Sequence, residues 1–229
     1  MLCSKESQAD TGDQAQVVDG LFVPDFPGKL LSAGVVDKQV KVIVAHNLDE
    51  GLLFTDPQIA DDAGFRAYLA ALMPSVSPAK ISTLASQIYP PDFSGAQPYT
   101  DQIGRTKLAV AEGVINCFAF GVSLAYTNQT RAYMFSLFPG MHAQDEPHTF
   151  FNGDSADSLG IPISPSVAQT MQGWFVDFAR LGDAAGSTAT QIPVYTDQAN
   201  VANIVAAGYP VVKDPAANSR CRYWLGLTA

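Results

Sequence analysis

Two short runs of β-branched and apolar residues, separated by helical patterns, most constrain how this chain can fold. The first run, QVKVIVA, covers residues 39–45, and the second, RAYMFSLF, covers residues 131–138. Such runs are typical of buried strands, and strands that alternate with helices usually pair in parallel. The sequence therefore predicts an α/β fold. Because two strands do not make a stable covered sheet, we expect part of the sheet to be absent from this chain.

Helical patterns fill much of the remaining chain. The clearest covers residues 164–181, with Ser164 suited to the N-cap, Gly182 to the C-terminal stop and an aromatic stripe that we interpret as core. The other predicted helices cover residues 61–72, 78–88 and, as a long buried helix, about 101–126.

Charge and hydropathy exclude whole classes of function. The 229 residues carry 13 Lys and Arg against 22 Asp and Glu, a formal net charge of −9. Nucleic-acid binding is therefore not expected, because it requires clustered Lys and Arg side chains. We find no run of 18 apolar residues and predict no transmembrane segment. Residues 1–16 are polar and aperiodic, predicting a disordered leader without the apolar core of a signal peptide; residues 17–229 form the predicted domain.

An acid and a histidine each follow one of the predicted strands. Glu50 and His142 lie 92 residues apart, in the order acid then histidine that α/β-hydrolases use after their nucleophile. A carboxylate fixes the tautomer of a histidine and stabilises its charged form, which proton transfer near neutral pH requires. On spacing alone the pair stays ambiguous, since Glu50 also suits a turn or helix cap and His142 also suits a surface position.

Several motifs, in order along the chain, carry a family resemblance. Residues 17–224 resemble the type-B carboxylesterase/lipase family, which includes the cholinesterases and fungal esterases; the matching segments are VVDGLFVPDFP (17–27), HNLDEGLLF (46–54), VINC (114–117), PGMHAQDEPHTFFNG (139–153), FARLGD (178–183) and SRCRYW (219–224). The resemblance implies the C-terminal portion of an α/β-hydrolase fold. Its partial, mostly parallel sheet would be flanked by helices, with the N-terminal half of the sheet absent.

The resemblance also assigns roles to individual residues. Glu50 corresponds to the family's triad acid, His142 to its triad histidine, and Asp145 to an acidic residue that supports the histidine. The chain departs from the family at two positions, with Ala143 where glycine is usual and His148 where tyrosine is usual. If that glycine has a positive φ, alanine there costs about 1 kcal/mol.

The family's nucleophile has no counterpart in these 229 residues. No G-x-S-x-G pentapeptide occurs, and the nearest similar segment, GVSLA at residues 121–125, lacks the second glycine and lies within a predicted helix. The glycine-rich oxyanion segment is missing too. We therefore predict a fragment of a carboxylic ester hydrolase that is inactive alone. The alternative is a non-catalytic, cholinesterase-like binding or adhesion module.

The resemblance pairs Cys117 with Cys221 in a disulfide and leaves Cys3 without a counterpart. The sequon at Asn128 is a candidate glycan acceptor, and the family implies secretion although this chain shows no signal peptide. We interpret His46 as a structural residue that positions its loop.

The remaining expectations concern ligands and partners. His142, His148, Asp145 and Glu146 do not have helical metal-ligand spacing, so neither a metal nor a cofactor is predicted. In the complete enzyme the partner would be a small carboxylic ester or lipid substrate. Exposed strand edges in the fragment are expected to favour self-association.

Overall fold

The structure is a computed structural model that describes residues 18–183 and 191–227. The predicted leader, including Cys3, lies outside the described residues. Eight α-helices and four strands are numbered in chain order: α1 Pro27–Ser32, β1 Val42–Asn47, α2 Asp62–Leu72, α3 Pro78–Thr83, α4 Gln102–Ala111, α5 Cys117–Ala125, β2 Thr130–Phe135, α6 Glu146–Thr149, α7 Pro165–Leu181, β3 Asn200–Ile204, β4 Val211–Lys213 and α8 Ser219–Leu227.

The described residues divide into two compact units. The helical unit holds residues 18–33, 50–121 and 218–227, and the sheet unit holds residues 34–49 and the described part of 122–217. Each unit is therefore assembled from segments that are distant in sequence.

The sheet unit contains a four-stranded, mostly parallel sheet in the order β1-β2-β3-β4. Strands β1, β2 and β3 run parallel, and the short β4 pairs antiparallel with β3. Helix α7 packs its buried Trp174 and Met171 into the core formed with Tyr133 and Phe135 of β2. The α/β prediction is confirmed, and the aromatic stripe of α7 belongs to the core.

Pairing, more than composition, sets the ends of the strands. The register joins Val42 to Thr130 and Asn47 to Phe135, so β1 and β2 begin and end together. Strand β1 consequently begins three residues later and ends two residues later than predicted, and β2 ends three residues earlier. Strands β3 and β4 were not predicted, because five and three residues are too short to show a period.

The helices that were predicted match the structure more closely, whereas α1, α6 and α8 were not predicted. Helix α2 follows an Asp61 N-cap that accepts the Gly64 N–H, and α7 follows a Ser164 N-cap and ends at left-handed Gly182. The predicted helix over 78–88 is α3 continued by a π-helical segment, Leu84–Ile88. A second π-helical segment, Glu112–Asn116, joins α4 to α5.

A buried polar network anchors α8 within the helical unit. Glu112 accepts hydrogen bonds from Tyr89 Oη at 2.5 Å, Asn218 Nδ2 at 2.9 Å, and Arg220 Nε and Nη2 at 2.8 and 2.7 Å. Trp224 Nε1 donates to Tyr89 Oη at 2.6 Å. Burial, together with the Glu112 carboxylate, raises the pKa of Tyr89 well above its usual value, so the phenol stays a donor.

One helical run is long and apolar enough to cross a membrane by length and composition alone. It covers Gln102–Ala125. The most apolar 18-residue stretch of this run has a mean hydropathy of 1.7, and 61% of that stretch is buried. A buried core helix passes the same test, so the absence of a transmembrane segment stays a prediction.

Candidate active site

Within the sheet unit, the residues that directly precede the predicted acid and histidine lie side by side just beyond the carboxyl ends of β1 and β2. Leu48 N–H donates to the carbonyl of Phe135 at 2.9 Å, and Asp49 N–H donates to the carbonyl of Gly140 at 2.7 Å. Asp49 and Met141 form a parallel bridge. The next residues along the two segments are the predicted Glu50 and His142.

Glu50 and His142 differ in burial, and they belong to different units. Glu50 is the first residue of its segment in the helical unit, and it is 3% exposed. His142 lies in the sheet unit and is half-buried. Deep burial is typical of a carboxylate with a specific partner.

Gln144 holds the loop that carries His142. Its Oε1 accepts hydrogen bonds from the backbone N–H of Gly140 at 2.7 Å and of Met141 at 3.1 Å, and its Nε2 donates to the carbonyl of Phe138 at 3.1 Å. The side chain is buried, so these bonds fix the backbone that leads into His142. Sequence reasoning missed this residue, because a side chain's backbone partners cannot be deduced from its type.

Asp145 ties the same loop to two strands. Its Oδ2 accepts from Tyr133 Oη in β2 at 2.9 Å, and its Oδ1 accepts from Asn47 Nδ2 in β1 at 3.2 Å. Asp145 thus joins its loop to β1 and β2 within the sheet unit, and its support of the candidate histidine stays a prediction. Tyr133 and Asn47, its two donors, were also missed by the sequence interpretation.

Ala143 adopts the left-handed conformation that the usual glycine of the family would favour. Its φ is 63°, directly after His142. A Cβ in this region costs about 1–2 kcal/mol. The departure at this position therefore places backbone strain beside the candidate histidine.

His148 is buried and holds a defined tautomer. Its Nε2 accepts the N–H of Ser164 at 3.1 Å, which leaves Nδ1 as the protonated nitrogen facing the carbonyl of Gln144 at 3.2 Å. Its ring packs on Phe135 with centroids 5.0 Å apart. Burial lowers the pKa of His148, against smaller opposing effects of the Gln144 carbonyl, Asp145 and Asp157.

A different acid–histidine pair lies in the core of the sheet unit. His46 Nε2 lies 3.1 Å from Asp214 Oδ1, and both side chains are only 4% exposed. Asp214 also accepts from Tyr195 Oη at 3.0 Å and from Ala216 N–H at 2.8 Å. The pair links β1 to the segment after β4, in line with the structural interpretation of His46.

Two further predicted sites lie in or beside helix α5. Cys117 and Cys221 form a disulfide in the helical unit, which confirms the predicted pairing. Asn128, in the turn before β2, is exposed. Within residues 18–183 and 191–227, no group of three or more His, Cys, Asp or Glu side chains is arranged to hold a metal ion.

Comparison with known proteins found sequence relatives and similar structures. No protein-family model matches the chain. Two curated relatives, both described as carboxylesterase patB, come from Aspergillus clavatus and Penicillium expansum; each is 29% identical over 207 residues, or 90% of this chain. Over this range the chain is similar in sequence to these two carboxylesterases. It spans only 37% and 36% of the lengths of those two proteins.

Solved esterase structures share the fold. The crystal structure of Aspergillus niger EstA superimposes with a TM-score of 0.75 at 18% identity, covering 93% of this chain and 44% of that one. PNB esterase gives a TM-score of 0.63 at 18% identity, covering 92% of this chain and 43% of that one. The predicted α/β-hydrolase type of fold is confirmed, over less than half of each neighbour's length.

Proposed function

We propose that this chain carries the acid and histidine of a carboxylic ester hydrolase. The parallel bridge between Asp49 and Met141 supports the proposal most directly, because it brings the segments leading into Glu50 and His142 side by side at the carboxyl ends of the strands. In open α/β sheets this edge collects catalytic groups. The relationship to carboxylesterases supports the same reaction class.

Each residue then has a defined task. His142 accepts the proton of a serine hydroxyl and returns it to the leaving alcohol, while Glu50 stabilises the imidazolium that forms between these steps. Asp145 and Gln144 hold the loop that presents His142. The serine and the oxyanion donors have no counterpart in these 229 residues, so we propose that the chain is a fragment of the active protein.

Hydrolysis of p-nitrophenyl acetate by the purified chain tests the fragment proposal. We expect the wild-type chain to hydrolyse the ester no faster than the Glu50→Gln and His142→Ala variants do. Without a nucleophile the wild-type chain has little activity, so removing the acid or the histidine changes little. Turnover by the wild-type chain that His142→Ala abolishes and the exposed-site control Glu146→Gln retains would show a complete catalytic site.

The acid–histidine pairing has a separate test that does not depend on turnover. The ¹⁵N chemical shifts of the His142 ring report which nitrogen holds the proton. If Glu50 accepts a hydrogen bond from that ring, Glu50→Gln changes the ring shifts and Glu146→Gln leaves them unchanged. Identical His142 spectra in all three proteins would remove Glu50 from the proposed site.

We also propose that the protein is secreted and glycosylated. The exposure of Asn128 within its sequon and the confirmed disulfide support an oxidising, glycosylating route. Expression through a secretory pathway should give a mass that falls on treatment with an N-glycosidase. The Asn128→Gln variant should show no such fall, and an unchanged wild-type mass would overturn the glycosylation proposal.

A further inference from the structure

A half-open recess with a volume of about 190 Å³ lies in the helical unit, and neither Glu50 nor His142 lines it. It is lined by the end of α2, by α4 with the π-helical segment that follows, and by Trp224 of α8. Six of its eight lining residues are buried, and only Leu72 and Val114 are partly exposed. The cavity is therefore a recess entered between Leu72 and Val114.

The Trp224 side chain in the lining is held by close contacts. The Trp224 indole donates its N–H to Tyr89 Oη, and its ring lies so close to Gly113 that a Cβ there would sit 2.8 Å from Cζ2. Contacts this tight leave the ring no space to move towards the π-helical segment. The recess is thus preformed by a fixed aromatic face.

The lining offers no free polar group. Seven of the eight side chains are aliphatic, thioether or glycine, and the indole N–H of Trp224 is already bonded to Tyr89. A charged or strongly polar guest would lose its water without a replacement partner. An apolar guest suffers no such loss and gains burial against the lining.

The volume of the cavity limits the size of the ligand. An apolar cavity of about 150 Å³ in another protein stays dry and binds benzene or xenon. We propose that this cavity is a binding site for a small uncharged hydrocarbon group, the size of one benzene ring. The site is independent of Glu50 and His142, and it binds its ligand whether or not the chain hydrolyses esters.

Titration of the full chain with benzene, followed by methyl NMR, tests the site. Ring currents should shift the methyl resonances of Leu72, Ala109 and Val114 in a saturable manner, while the methyls of Val201 in the sheet unit stay in place. Phenol, nearly the same size, should bind at least tenfold more weakly, because its hydroxyl finds no partner.

Filling the cavity supplies the matched variant. Ala109→Leu adds three carbons to the lining and should abolish the benzene-dependent shifts, whereas Ala63→Leu adds the same carbons to an exposed position of α2 and should leave them intact. If Ala109→Leu does not fold, Leu72→Phe at the partly exposed entrance should reduce binding at least fivefold. Equal benzene binding by wild type and the folded cavity variant, or no saturable shift in the wild type, would overturn the proposal.

Discussion

At the scale of single residues, the loop after His142 combines strain with strong support. Ala143 adopts a φ of 63°, while Gln144 and Asp145 fix the backbone on either side through five hydrogen bonds. Residues held in a sparsely populated conformation persist when their surroundings determine it. The surrounding bonds therefore offset the strain at Ala143.

Replacing Ala143 by glycine should stabilise the protein. Loss of the Cβ removes about 1–2 kcal/mol of strain from the left-handed conformation. Glycine also gives the unfolded chain more conformational freedom, which lowers stability and cancels part of that gain, so we expect the free energy of unfolding to rise by about 0.5–1 kcal/mol. Urea denaturation measures the change. The control Ala67→Gly, at an exposed helical position of α2, should shift the other way by about 1 kcal/mol. A loss of stability in Ala143→Gly would contradict this account.

His148 should make stability fall in mild acid. Its pKa is lowered in the folded state, so the unfolded chain binds a proton first as the pH decreases. This contribution is therefore fully present above about pH 6.5, the ordinary histidine value, and is lost as the pH falls through the lower folded pKa.

The His148→Gln variant isolates that contribution. Glutamine keeps a donor and an acceptor near Gln144 and Ser164 but does not titrate in this range. Urea denaturation at pH 8 and pH 5 should show a smaller loss of stability in the variant than in the wild type. An equal or larger loss would assign the pH dependence to other groups.

At the scale of elements, the longer helices were predictable because their signals are local, whereas α1, α6 and α8 were missed. Ser164, Pro165 and Gly182 mark the ends of α7 within one turn, and Asp61 marks the start of α2. Strand ends depend on a partner distant in sequence, so the predictions for β1 and β2 were displaced and β3 and β4 were missed. The π-helical segments also have no local signal, since each is determined by packing.

The π-helical segment Glu112–Asn116 should depend on its first residue. Glu112→Gln removes the buried negative charge opposite Arg220, and we expect a loss of about 3 kcal/mol, as for other broken buried ion pairs. Urea denaturation measures this loss. The double variant Glu112→Gln/Arg220→Met should lose less than the two single variants summed, because no unpaired charge remains buried. Simple additivity would show that the two side chains do not interact.

At the scale of the whole molecule, the sequence predicted the fold class better than the site. The two apolar runs at residues 39–45 and 131–138, separated by helical patterns, predicted the α/β type and the approximate strand positions. The contacts of Asp145 with Asn47 and Tyr133 join residues from separate segments, so no local pattern reveals them. Self-association through strand edges, and the alternative of a non-catalytic binding module, stay predictions.

The disulfide should contribute strongly to the helical unit. Cys117 and Cys221 are separated by 104 residues, and closing a loop of this size restricts the unfolded chain by about 4–5 kcal/mol. The double variant Cys117→Ser/Cys221→Ser should lose about that much unfolding free energy, measured by urea denaturation. Cys3→Ser, which keeps the disulfide, serves as the control. A double variant as stable as the control would contradict the prediction.

The interleaving of the two units also sets an order of events during synthesis. At about 5–20 residues per second, Cys221 is made roughly 5–20 s after Cys117. Throughout that interval the Cys117 thiol has no native partner and the sheet unit is still growing. A nascent chain therefore passes through a stage in which oxidation can join Cys117 only to Cys3 or to a thiol of another molecule, and a disulfide isomerase that reverses such pairings would raise the yield of native protein.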